Sequence, residues 1–120
     1  MINILVSNPE KIRKTVTDFV NHSGSITVGE WHYFGVGQYF SNSDAHHVVE
    51  NTFGIARFYI VASSNQVIEA NLENAVQIIK EKLEHGDLIL SNFTFNKAIQ
   101  FLSSGNYQIH PIMSIDGFLK

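Results

Sequence analysis

One amphipathic helix constrains the fold of this chain more than any other feature. Apolar side chains recur every three or four residues between Leu72 and Leu83, which places them on one face of a helix, and Gly86 follows just after the last turn. Such a face has to pack against another element. Residues 55–62 are nearly all apolar and have the length of a strand that is covered on both faces. The sequence therefore predicts helices packed on a sheet.

Capping residues mark two helix starts in the N-terminal half. Asn8 is a good N-cap and Pro9 a favoured first helical residue, so a helix is predicted to follow a short apolar strand over residues 2–6. Ser41 or Ser43 predicts the cap of a second, short helix.

Four further segments complete the pattern. Residues 31–40, rich in aromatic side chains, are predicted to form strand, turn and strand. Residues 88–90 and 107–115 indicate strands, and residues 95–102 have the apolar spacing of a short helix. We therefore expect a single domain over residues 1–120, of the α+β class, with a mixed sheet of about five strands and four short helices. A small doubly wound parallel sheet is the alternative.

The composition excludes several classes of protein. Charged residues make up 16% of the chain and hydrophobic residues 44%, a balance typical of a folded protein. A net charge of -3 without a basic cluster predicts no nucleic-acid partner. The absence of cysteine excludes disulfides and thiolate chemistry. Since no export signal is visible and no apolar run reaches the ~20 residues of a membrane helix, we expect a cytoplasmic protein without a membrane partner.

The familiar catalytic and metal-binding patterns are incomplete. His46 and Glu50 are one helical turn apart, but a zinc site needs a third and a fourth ligand, so no metal is predicted. Gly35 and Gly37 lack the third glycine of a dinucleotide fingerprint and the Lys-Ser or Lys-Thr of a phosphate loop. Whether the chain is an enzyme therefore stays open.

Residues 34–45 are the stretch least like generic globular sequence. Gly35 and Gly37 allow the backbone to approach a ligand closely, and Tyr39 offers a ring for stacking on a flat heterocycle. The hydroxyl-rich helix start that follows offers backbone amides to a polar group. An aromatic hairpin shaped by the glycines is the alternative interpretation.

This segment resembles the second motif of the ADP-ribosyltransferase superfamily of the diphtheria-toxin and poly-ADP-ribose-polymerase type, on the run Gly35-Val36-Gly37-Gln38-Tyr39-Phe40-Ser41. The resemblance covers roughly residues 2–64. It implies NAD or ADP-ribose as the ligand, with the nicotinamide ring stacked on Tyr39. It further implies close backbone approach at the two glycines, polar contacts from Ser41 and Ser43, and a split arrangement of the sheet.

Two other motifs of that superfamily are degenerate in this chain. The run Leu5-Val6-Ser7-Asn8 stands where the family has histidine or arginine before glycine, and Asn106-Tyr107 stands where it has glutamate before tyrosine. An amide cannot supply the negative charge that stabilises the oxocarbenium-like state. The resemblance thus implies a nucleotide-binding domain that is catalytically degenerate, with Ser7 and Asn106 lining the cleft. His32 is a further candidate ribose contact.

Two other classes of function fit the same residues. Small size, mild acidity and the lack of a complete catalytic set favour a non-enzymatic inhibitor or immunity-type protein that acts by binding a protein partner. A small structural or oligomerising module, with residues 31–40 as a buried or interfacial strand, is the third alternative. The sequence leaves the oligomeric state open.

Overall fold

The computed structural model of the protein describes residues 4–5, 9–26, 31–62 and 66–110, and these form an α+β fold. The helices are α1 (Pro9–Ile26), α2 (Asn42–Phe53) and α3 (Leu72–Leu83). The strands in chain order are β1 (Ile4–Leu5), β2 (His32–Tyr33), β3 (Phe58–Ala62), β4 (Val67–Ala70), β5 (Leu88–Asn92), β6 (Ala98–Phe101) and β7 (Asn106–His110).

The strands form one antiparallel sheet. Their order is β1-β4-β3-β5-β6-β7-β2, and every neighbouring pair is antiparallel. Short connections link β3 to β4, β5 to β6 and β6 to β7, and such connections allow only antiparallel pairing, because a parallel crossover needs a dozen or more residues. The α+β class is confirmed. The predicted mixed, split arrangement and the doubly wound parallel alternative are wrong, because the described strands form one antiparallel sheet. The predicted counts of about five strands and four helices differ slightly from the seven strands and three helices of the described residues.

Helices α2 and α3 cover one face of the sheet, which we call the two-helix face. Alternate strand residues point to this face, and they meet the apolar sides of both helices in a single buried hydrocarbon cluster. The strands contribute Phe58, Ile60, Ile68, Leu88, Leu90, Ile99 and Phe101, and the helices contribute Val48, Val49, Phe53, Ala75, Ile78 and Ile79.

Helix α1 covers the opposite face, which we call the α1 face, and lies against β4, β5, β6 and β7. Val16 of α1 packs there with Val61 and Val67 in a smaller apolar cluster. Among the described residues three polar side chains are also buried: Ser91, Gln108 and His110. The strand register aligns Ser91 with Ala98 and Ala98 with His110, so these residues share the α1 face. The α1 face therefore contains both apolar and polar buried side chains.

Caps explain why the helices begin where they do. The hydroxyl oxygen of Ser41 accepts a hydrogen bond from the backbone N–H of Asp44 at 3.2 Å, so the predicted cap of α2 is Ser41. Asn71 and Asn74 form a reciprocal capping box at the start of α3. Pro9 is the first residue of α1, as predicted, but that helix continues past Gly24 to Ile26.

The predicted helix over residues 95–102 is wrong, since Ala98–Phe101 is strand β6 and pairs with both β5 and β7. Asn92 stabilises the turn between β5 and β6. Its Oδ1 accepts hydrogen bonds from the backbone N–H groups of Asn96 at 2.9 Å and Lys97 at 3.1 Å. The sheet also contains β4, which the sequence analysis does not predict. The last predicted strand begins as β7, and residues 111–115 lie outside the described residues.

Candidate functional site

The loop between β2 and α2 carries most of the residues predicted to bind a ligand. His32–Tyr33 pairs with β7, but the predicted second strand is absent from this loop and a single 3₁₀ turn, Gly37–Tyr39, takes its place. The predicted strand, turn and strand over residues 31–40 is therefore wrong in its second half. The chain turns instead because Phe34 enters the core, where it is 2% exposed.

Contacts of Phe34 fix the base of the loop. Its backbone N–H donates to the carbonyl of Gly105 at 2.8 Å, and its own carbonyl accepts from the N–H of Ser41 at 2.9 Å. The ring meets Phe40 and Phe101 edge-on, with centroid distances of 5.2 and 5.3 Å. The two ends of the loop are thus held together over the two-helix face.

Large side chains project into solvent from this fixed base. Tyr39 is 72% exposed and Tyr33 64% exposed, and Trp31 and Val36 are exposed as well. We call these four exposed residues the aromatic surface; of them, Tyr33 and Val36 lie side by side, since both approach Gly105. Residues 31–43 contain no aspartate, glutamate, lysine or arginine, so the aromatic surface arises from a segment without formal charge.

The two glycines of the predicted motif have different roles. Gly35 has a φ of +94°, and a Cβ at this position would collide with the carbonyl oxygen of Tyr39. It therefore serves the turn, in line with the alternative interpretation of an aromatic segment shaped by glycine. Gly37 has a φ of +56°, and a Cβ there would meet no atom within 4 Å, so its surroundings are open.

The two serines follow at the start of α2. Ser41 is half-buried and its hydroxyl caps the helix, so this oxygen already has a partner. Ser43 is exposed, with its hydroxyl 3.4 Å from that of Ser41. Ser43 is therefore the more accessible of the two predicted polar contacts.

His32 and Asn106 lie on the neighbouring strands β2 and β7. The exposed ring of His32 stacks on Tyr107 at a centroid distance of 5.1 Å, and Asn106 lies opposite Tyr33 in the register. The Asn106 amide donates to the hydroxyl of Ser104 at 3.2 Å. Burial, and secondarily the charge of Asp44, raise the pKa of Tyr107.

The predicted cleft beside Tyr39 stays a prediction, because Ser7 lies outside the described residues. Four surface depressions are lined by residues of the described ranges, and none of those four includes a residue of the aromatic surface. His46 and Glu50 approach each other, with 3.9 Å between Nε2 and Oε1. Within the described ranges no group of three or more metal-ligating side chains occurs, and no helix there has the length and apolarity to cross a bilayer.

Comparison of the chain with known protein families, with curated proteins and with solved structures yields no match. The ADP-ribosyltransferase resemblance therefore rests on the sequence motif alone. The exposure of Trp31, Tyr33 and Val36 is not predicted from the sequence. The signal for them is the long uncharged run in which they lie.

Proposed function

We propose that this protein is a small binding domain that docks a protein partner through the aromatic surface. The observation that carries the proposal is the 72% exposure of Tyr39 on a loop whose segment has no formal charge. The cores of protein interfaces are rich in tyrosine and tryptophan and poor in charged residues. The aromatic surface has this composition.

The fixed base of the loop supports the same function. Phe34 is buried and Gly35 closes the turn, so the backbone beneath the exposed rings is held before any partner arrives. A surface that is already ordered loses less entropy on binding. The complementary partner surface is apolar, with acceptors for the indole N–H of Trp31 and the hydroxyls of the tyrosines.

Binding of NAD or ADP-ribose is the second candidate. The accessible ring of Tyr39, two residues ahead of the capping residue Ser41, supports it together with the motif resemblance. One observation makes it the weaker candidate. Residues 31–53 contain no lysine or arginine to bind a diphosphate. With Asn106 in the place of the family's glutamate, we propose no transfer reaction.

Photo-crosslinking in the native host tests the first candidate. A benzoylphenylalanine at position 39 is expected to give one discrete crosslinked protein. The same residue at position 93 is the matched control, because Phe93 is 41% exposed on the turn between β5 and β6. With the purified partner, Tyr39→Ala is expected to weaken binding by at least about tenfold, since aromatic hot-spot residues contribute roughly 2 kcal/mol or more.

Thermal stability with NAD and with ADP-ribose tests the second candidate in parallel. A ligand that binds the folded state raises the melting temperature, and Tyr39→Ala would abolish that rise. Such a result would favour a nucleotide, and not a protein partner, as the ligand bound at Tyr39. Equal crosslinking at positions 39 and 93, without any nucleotide effect, would contradict both candidates.

A further inference from the structure

A second candidate site lies on the α1 face, in a depression of about 160 Å³ between α1 and the sheet. The strand register places Val61, Ile89 and Gln100 side by side on β3, β5 and β6, and they form its floor. Arg13 and Thr17 lie one helical turn apart on α1, and both line the depression from above.

Asp87 lines the same depression from the sheet side, just before β5. Its Oδ1 accepts a hydrogen bond from the backbone N–H of Ser103 at 2.8 Å, which holds the carboxylate in place. Its Oδ2 has no hydrogen-bond partner within the described ranges. The depression thus has a negative charge, on an exposed side chain, with one oxygen that is not hydrogen-bonded within the described ranges.

Arg13 supplies the opposite charge. Its side chain is half-buried, and its guanidinium makes no hydrogen bond or ion pair in the part of the chain that the structure describes, not even with Asp87. A guanidinium carries five N–H donors and binds carboxylates in a bidentate manner. A cation and an anion therefore line one depression without forming an ion pair with each other.

We propose that this depression binds a small aliphatic α-amino acid. The ligand carboxylate lies on Arg13, its ammonium group on Oδ2 of Asp87, and its side chain over Val61 and Ile89. The volume favours a small side chain, since it is close to that of a cavity of ~150 Å³, which accommodates a molecule of about the size of benzene. A simple anion fits less well, since it would be repelled by Asp87.

Binding is measured on the full chain by titrating alanine and valine while recording ¹H–¹⁵N spectra. Saturable shifts are expected at the backbone amides of Thr17, Ile89 and Gln100, with a Kd on the order of 1 mM, as suits a ligand of so few atoms. Acetate and ethylammonium each carry one of the two charges of the ligand. Each is expected to bind at least about tenfold more weakly than valine.

Variants assign the two charged contacts. Arg13→Gln and Asp87→Asn are each expected to weaken valine binding by about tenfold or more, because each removes a charge-assisted hydrogen bond. Asp87→Asn keeps the oxygen that accepts from Ser103, so the fold is retained. Lys14→Gln is the matched control, since Lys14 is exposed and pairs with Asp18 instead; its affinity for valine is expected to be that of the unaltered chain.

Three results would overturn the proposal. The first is the absence of saturable shifts with both amino acids. The second is acetate binding as tight as valine binding and unaffected by Asp87→Asn, which would make the depression an anion site. The third is shifts that are confined to residues outside the depression. None of these results bears on Tyr39, so the proposed partner surface is tested independently.

Discussion

The two faces of the sheet are both buried, but they are built from different chemistry. The two-helix face is a continuous hydrocarbon cluster in which Phe58, Ile60 and Phe101 are 0% exposed. The α1 face combines a few valines with polar side chains such as Ser91 and His110, which are 0% and 2% exposed. Burial of hydrocarbon stabilises a fold strongly, whereas a buried polar group does little more than offset its own desolvation. We therefore expect the two-helix face to dominate the free energy of unfolding.

Truncation of a fully buried side chain on each face is expected to give the largest effects. Phe101→Ala removes a fully buried ring from the two-helix face and is expected to lower the free energy of unfolding by about 4 kcal/mol. Val16→Ala, at an equally buried position on the α1 face, is expected to cost about 2 kcal/mol. Urea unfolding measures both, and equal losses would contradict the comparison.

The next largest effect is expected where the aromatic loop joins the two-helix face. Gly35→Ala is expected to cost roughly 3 kcal/mol, because the new Cβ collides with the Tyr39 carbonyl at a φ that favours glycine. Gly37→Ala is the control. It meets no atom within 4 Å and is expected to cost about 1 kcal/mol, from its φ alone. A similar loss in both variants would show that Gly35 does not hold the turn.

The pH dependence of stability is expected to come from the α1 face. Burial lowers the pKa of His110 below its ordinary value of 6.5. As the pH falls through 6.5, the unfolded chain takes up the proton first, so this contribution to stability is complete above that pH and decreases below it.

Urea midpoints at about pH 7.5 and about pH 5.5 measure this contribution. His110→Gln is expected to lose less stability between the two pH values than the unaltered chain does. The exposed or half-buried histidines at positions 32, 46, 47 and 85 stay in both chains and serve as an internal control. An identical loss in both chains would place the titrating group elsewhere.

The smallest effect is expected from the ion pair at the rim of the α1 face. Nε of Arg57 lies 2.7 Å from Oε1 of Glu69, and the arginine side chain is 44% exposed. Solvent screens such a pair, so Arg57→Ala is expected to cost only about 0.5 kcal/mol, and less at about 1 M salt. A loss that matches that of Val16→Ala would mean that polar pairs stabilise this face as much as hydrocarbon does.

Local signals in the sequence predicted the helices better than the strands. Ser41 marks the start of α2, and a regular apolar face marks α3. Each signal lies within or directly beside the helix that it predicts. The spacing of Phe95, Ile99 and Leu102 also suits a helix, yet pairing with β5 and β7 makes this stretch a strand. That pairing depends on residues that are distant in the chain, and no local pattern reveals it.

The candidate sites also differ in whether a local sequence signal reveals them or only contacts between distant parts of the chain do. Tyr39 stands out in the sequence because it lies in an unusual local run, and its role in binding stays a prediction. Arg13 and Asp87 carry no such signal. They meet only because α1 crosses the sheet, so the second site becomes visible in the structure alone.

The strand order also governs how the protein forms during synthesis. Among the described strands, both edge strands come from the N-terminal third of the chain, and each pairs with a strand made later: β1 with β4, and β2 with β7. His32 can meet Tyr107 only after β7 has left the ribosome. Until then the aromatic side chains beside β2 lie on a nascent segment without its neighbouring strand, which is the kind of exposed apolar stretch that chaperones bind.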